Sequence, residues 1–166
     1  MKIFGLLVFL GIIFVLTGYL FYPATDRVIE KAPIPANFTD GILKLVAVGD
    51  ISCPDMPVKS TQCQQQMTAS LAASLKPDYV MALGDLQYGG ATLADFQTFY
   101  NKSWGGFKDK TFPVVGNHEY EDASAAGYFD YFNGIGNQTG VAGDRDKGYY
   151  ALDKAGWKII VLNSNC

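Results

Sequence analysis

The chain has 166 residues, about enough for one domain, and 14% of them are aromatic, which excludes a disordered polymer. A formal net charge of -3 carries no basic footprint, so nucleic acid is not an expected partner. One histidine is present, His118, so any site built here relies on carboxylate, amide, phenol or backbone donors beside a single imidazole.

Ile3 to Tyr22 form an unbroken apolar segment after Lys2, and its 20 residues match what a helix needs to cross a bilayer. Residues 1–22 read as an uncleaved signal anchor or as a signal peptide. Both begin with a charge and an apolar core, and Tyr22-Pro23-Ala24-Thr25 is a poor cleavage site. Either reading exports the rest of the chain, which is then membrane-anchored facing outward or secreted. A buried core helix is the weaker reading, because the segment is apolar all round. Residues 23–41 are rich in Pro, Asn, Thr and mixed charge and read as a linker.

Export bears on the cysteines. Cys53 and Cys63 lie in a polar loop with Pro54 and Pro57, and in an oxidising compartment such a pair reads as a disulfide, with two free thiols as the alternative.

The domain, 42–166, opens with a strand over Leu43 to Val48. Thr61 with Gln64 in capping-box spacing predicts a helix whose apolar face carries Met67, Leu71 and Leu75. Lys76-Pro77 stops it, and a second strand covers Tyr79 to Leu83. Strand, helix, strand in this order predicts parallel pairing. Thr92 with Asp95 caps a further helix to about Tyr100, whose stripe of Leu93, Phe96, Phe99 and Tyr100 reads as packing. A loop at Trp104-Gly105-Gly106, a third strand over Phe112 to Val115 and a helix from about Ala123 to Phe132 follow. Asn133 to Lys147 reads as a long polar loop, and a hairpin with arms Tyr149 to Asp153 and Trp157 to Leu162 closes the chain.

Three apolar strands thus end alike, in Gly49-Asp50, Gly84-Asp85 and Gly116-Asn117-His118-Glu119. Glycine lets the backbone turn sharply beside a presented side chain, and parallel neighbours would gather these groups at one sheet edge, where open α/β sheets place their sites. Two aspartates, an amide and the phenol of Tyr88 are hard, mostly oxygen donors suited to divalent or trivalent cations. One aspartate can bridge two ions, a spacing used to clamp phosphoryl oxygens, and Asp85 is the natural bridge.

The ordered set Gly49-Asp50, Gly84-Asp85-Leu86-Gln87-Tyr88 and Gly116-Asn117-His118-Glu119 resembles the calcineurin-like metallophosphoesterase superfamily. Tyr88, three residues after the second aspartate, makes it similar to the purple acid phosphatase branch. The resemblance implies an α/β fold, a β-sandwich flanked by helices (α/β/β/α) of which this chain holds the N-terminal part, preceded by one hydrophobic helix. It implies a phosphatase hydrolysing phosphomonoesters by water activated on a dinuclear metal centre, Fe with Zn, Mn or Fe. Asp50 and Tyr88 would bind the first ion, Asp85 both, and Asn117 the second. His118 would stabilise the transition state or protonate the leaving oxygen, or else be a hydrogen-bonded structural histidine, and Glu119 would orient its neighbours.

The family's full site also needs a later His and a Gly-His-x-His segment, and this chain has no histidine besides His118. The expectation is a truncated chain, inactive or nearly so alone. A non-catalytic, membrane-anchored binding module with the same fold and a single-metal protein are the alternatives.

Overall fold

Three short apolar runs set the architecture. The computed structural model describes residues 43–54 and 63–165, so the expected signal segment, the linker and Thr61 lie outside the described residues. β1 (Leu45–Val48), β2 (Tyr79–Leu83) and β3 (Thr111–Val114) form a parallel sheet in the order β1-β2-β3. Val48 lies opposite Ala82 and Leu83 opposite Val114, so the three strands finish along one edge. Parallel neighbours need long crossovers, and both are helical here.

The first crossover is α1 (Gln65–Ser74), which begins after Gln64 without a side-chain capping bond. Its expected apolar face is reversed. Met67, Leu71 and Leu75 are exposed, while Gln65, Ala69 and Ala72 are buried. The alanines carry no bulk that would hold the helix away from its neighbours, the segments Asn101–Ser103 and Trp104–Lys110.

The second crossover opens on a capping box. Thr92 Oγ1 accepts the Asp95 N–H at 3.2 Å, and Asp95 Oδ2 accepts the Thr92 N–H at 3.0 Å. α2 (Leu93–Asp95) then widens into a π-helical turn at Phe96–Tyr100, runs through Asn101–Ser103 and tightens to a 3-10 helix at Trp104–Lys110, where the sequence suggested a loop. The aromatic stripe is packing. Phe96 and Tyr100 are buried against Tyr131 and Phe132 of α3 (Ala126–Asn133), with ring centroids 5.2 Å apart for Phe96 and Tyr131 and 6.0 Å apart for Tyr100 and Phe132. α3 starts later than its pattern suggested, because Ser124 and Ala125 take left-handed φ angles of 57° and 52° and break the run.

The polar stretch holds a small ribbon, β4 (Thr139–Gly140) with β5 (Gly143–Asp144), and the closing hairpin is β6 (Tyr150–Lys154) with β7 (Trp157–Val161). The hairpin is its own antiparallel sheet, tied to β3 by the Tyr150 hydroxyl, which donates to the Pro113 carbonyl at 2.8 Å. The fold is therefore mixed α/β around a parallel sheet. Of the sandwich expected, the described residues form this three-stranded sheet and two separate two-stranded ribbons. No helix among the described residues is long and apolar enough to cross a membrane.

Candidate functional site

The turns after β1 and β2 do not splay apart at the sheet edge. Asp50 N–H donates to Gly84 O at 3.2 Å, Ile51 N–H to Asp85 O at 2.9 Å and Ser52 N–H to Leu86 O at 3.0 Å, so the two chains stay paired beyond their strands. Within this pairing Asp50 and Asp85 adopt left-handed φ angles of 53° and 50°. Non-glycine residues seldom take that region, although Asp tolerates it better than most. The same unusual conformation thus presents both predicted carboxylates.

The turn after β3 is locked to the turn after β2 by one buried carboxylate. Glu119 Oε1 accepts the N–H groups of Leu86 at 2.8 Å and Gln87 at 3.2 Å, and Oε2 accepts those of Asp85 at 3.0 Å and Gly116 at 2.7 Å. Burial holds this carboxyl above its ordinary range; the Gly116, Gln87 and Leu86 N–H groups offset part of the rise, and the Asp85 charge adds to it. All four partners are donors, so the cradle is shaped for the carboxylate and has no acceptor for a proton. Gly116 suits the close approach, since a Cβ there would collide with the Asp85 amide nitrogen and carboxylate.

Tyr88 and His118 complete the cluster. The Tyr88 hydroxyl donates to Asp50 Oδ1 at 2.6 Å, and its ring lies against the His118 ring with centroids 4.4 Å apart. Desolvation, the bond to Asp50 and the nearby Asp50, Asp85 and Glu119 charges push the Tyr88 hydroxyl well above its ordinary range. The His118 N–H donates to Asp85 Oδ1 at 3.0 Å, and His118 Nδ1 meets Glu121 Oε1 at 2.5 Å. Glu121 was not singled out in the sequence; its only signal is an acid three residues after the histidine, one helical turn on.

Asp50, Asp85 and Asn117 line one open cavity of about 510 Å³, with Ser164 and Asn165 also at its wall. Among the described residues no Lys, Arg or His lines it, so two like charges face this space without a cation from those residues. Among the described residues each aspartate also keeps one oxygen outside the hydrogen bonds, since Asp50 accepts through Oδ1, from Tyr88, and Asp85 through Oδ1, from His118. Two spare carboxylate oxygens and an amide at the cavity, with the Tyr88 phenol bound to Asp50 beside them, are a donor set that fits a hard cation. Among the described residues no three His, Cys, Asp or Glu side chains converge on one point, so the carboxylates would need Asn117 and Tyr88 beside them.

Close by, Cys53 and Cys63 are joined as a disulfide with Cα atoms 5.7 Å apart. Asn163 Nδ2 donates to the Tyr120 hydroxyl at 2.9 Å and to the Lys147 carbonyl at 3.1 Å, holding the segment after β7 near the third turn. A family model described as calcineurin-like phosphoesterase matches residues 43–164, the span that carries all three strand ends. Comparison with curated proteins gives no significant match.

Proposed function

Because this chain belongs to the calcineurin-like phosphoesterase family, we propose that Asp50, Asp85, Tyr88 and Asn117 hold metal ions for the hydrolysis of phosphomonoesters. The observation that carries this reading is the pair of left-handed aspartates at adjacent strand ends, each with a spare oxygen and sharing a cavity with Asn117 that no cation among the described residues lines. Bound there, a pair of ions would supply Lewis acidity toward phosphoryl oxygens and water. Asp85 would touch both ions, Asp50 and Tyr88 one, and Asn117 the other. Tyr88 favours iron at the first position, with Fe, Zn or Mn at the second, as in the purple acid phosphatase-like branch.

The remaining residues act on geometry and protons. Glu119 holds the turns that carry Asp85 and Asn117 in one register. His118 Nε2 protonates the leaving alcohol oxygen, work suited to an imidazole. This chain brings four such donors, fewer than two ions require, so metal is retained weakly and turnover is low. The shortage favours one alternative, a non-catalytic binding module with the same fold, because no three acidic, thiol or imidazole groups converge among the described residues. In either case Ile3 to Tyr22 directs the domain out of the cell, as an anchor or a removed signal. Hydrolysis of a chromogenic phosphate monoester by the full-length chain, with and without added Fe, Zn or Mn, tests the reading. Metal-dependent turnover abolished by Asp85→Asn supports it, and metal binding without turnover favours the binding module.

A further inference from the structure

Resting on that reading of His118, we propose that Glu121 is the positioning residue of this site, holding the His118 ring as the Nδ1–H tautomer so that Nε2 is the atom offered to substrate. Glu121 Oε1 lies 2.5 Å from Nδ1, and a carboxylate only accepts, so Nδ1 carries the hydrogen. Glu121 is itself held, because its second oxygen accepts the Gly90 N–H at 3.1 Å from the loop that follows Tyr88. The ring lies tilted against Tyr88 with centroids 4.4 Å apart, and the His118 backbone N–H donates to Asp85 Oδ1 at 3.0 Å. A half-turn of the ring would break the Glu121 bond. Among the described residues Nε2 has no hydrogen-bond partner, and the side chain is 33% exposed, so Nε2 is the ring nitrogen left open for a substrate.

A free imidazole in water prefers its hydrogen on Nε2, the opposite tautomer. In its neutral form that ring would offer substrate a donor and keep a lone pair on Nδ1 against Glu121, two acceptors face to face. The Glu121 carboxylate removes that arrangement. When His118 is charged, the same carboxylate keeps Nδ1–H occupied and directs the transferable proton to Nε2.

The test uses the fact that His118 is the single histidine of the chain, so ¹⁵N-histidine labelling of the full-length protein gives one imidazole signal set. The spectrum is recorded at a pH where the ring is neutral. Wild type is expected to show Nδ1 as the protonated nitrogen and Nε2 as the bare one, and Glu121→Ala is expected to revert to the water-like tautomer. A wild-type spectrum with the hydrogen on Nε2, or a Glu121→Ala spectrum unchanged from wild type, overturns the proposal; the wild-type spectrum alone decides if the variant does not fold. Turnover of a phosphate monoester is measured in parallel, where kcat is expected to fall about tenfold to a hundredfold in Glu121→Ala with KM little changed. The expected tautomer shift with no effect of either Glu121→Ala or His118→Ala on turnover would leave the positioning intact and sink the catalytic reading of His118.

Discussion

Replacing Glu119 separates a buried carboxylate anchor from ordinary packing. Glu119→Ala strands the N–H groups of Asp85, Leu86, Gln87 and Gly116, which now share its two oxygens at 2.7 to 3.2 Å. A buried donor left without a partner costs about 1–3 kcal/mol. Leu86 and Gln87 are buried, whereas Asp85 and Gly116 are half-buried and water can serve them in part, so the expected loss is about 3–5 kcal/mol. The informative variant is Glu119→Gln, which keeps the shape. Its amide nitrogen would face two N–H donors wherever it is placed, so it is expected to lose most of what Glu119→Ala loses. Urea unfolding followed by far-ultraviolet circular dichroism measures both. A Glu119→Gln variant within about 1 kcal/mol of wild type would refute the reasoning, because a neutral group would then serve as well as the carboxylate.

The Cys53–Cys63 disulfide closes a loop with a sequence separation of 10, for which chain entropy gives about 2–3 kcal/mol, and the double Cys→Ser variant is expected to lose that amount in urea unfolding. Asp130 is held below the usual carboxylate range by the Gly136 N–H and by Arg145, so its contribution is present above the unfolded value of about 4 and is lost as pH falls through the lower folded value. Arg145→Ala is therefore expected to be less stable than wild type near neutral pH and to converge with it in acid, read from urea midpoints across that range. Tyr88→Phe leaves Asp50 Oδ1 without its donor; wild type loaded with ferric iron is expected to show a visible phenolate-to-iron absorption band, and Tyr88→Phe to lack it. Persistence of the band in Tyr88→Phe would remove Tyr88 from the metal shell.

Much of the site could be read from the sequence because its parts are local. An apolar run of four or five residues that stops at Gly-Asp or Gly-Asn needs no tertiary knowledge to be seen as a strand presenting a polar side chain, and the strand, helix, strand order predicted parallel pairing. Other features depend on distant partners. Met67, Leu71 and Leu75 share a helix face, but so do Gln65, Ala69 and Ala72, and periodicity alone cannot say which of two faces a neighbour will cover. Ser124 and Ala125 break α3 although both accept helical geometry; the Asp122 carboxylate, which accepts the Gly127 N–H at 2.8 Å, fixes the turn there instead. Glu121 escaped notice because its importance lies in two contacts, to His118 and Gly90, that only the folded loop brings together.

The central claim is that Asp50 and Asp85 form a cation site serving phosphoester hydrolysis. Calorimetric titration of the full-length chain with Zn, Mn or Fe, set beside the same titration of Asp85→Asn and an assay of phosphate monoester hydrolysis with and without chelator, tests it most directly. Weak cation binding that disappears in Asp85→Asn, with low turnover that the chelator removes, is the predicted result. Cation binding equal in wild type and Asp85→Asn, or hydrolysis untouched by the chelator, would contradict it.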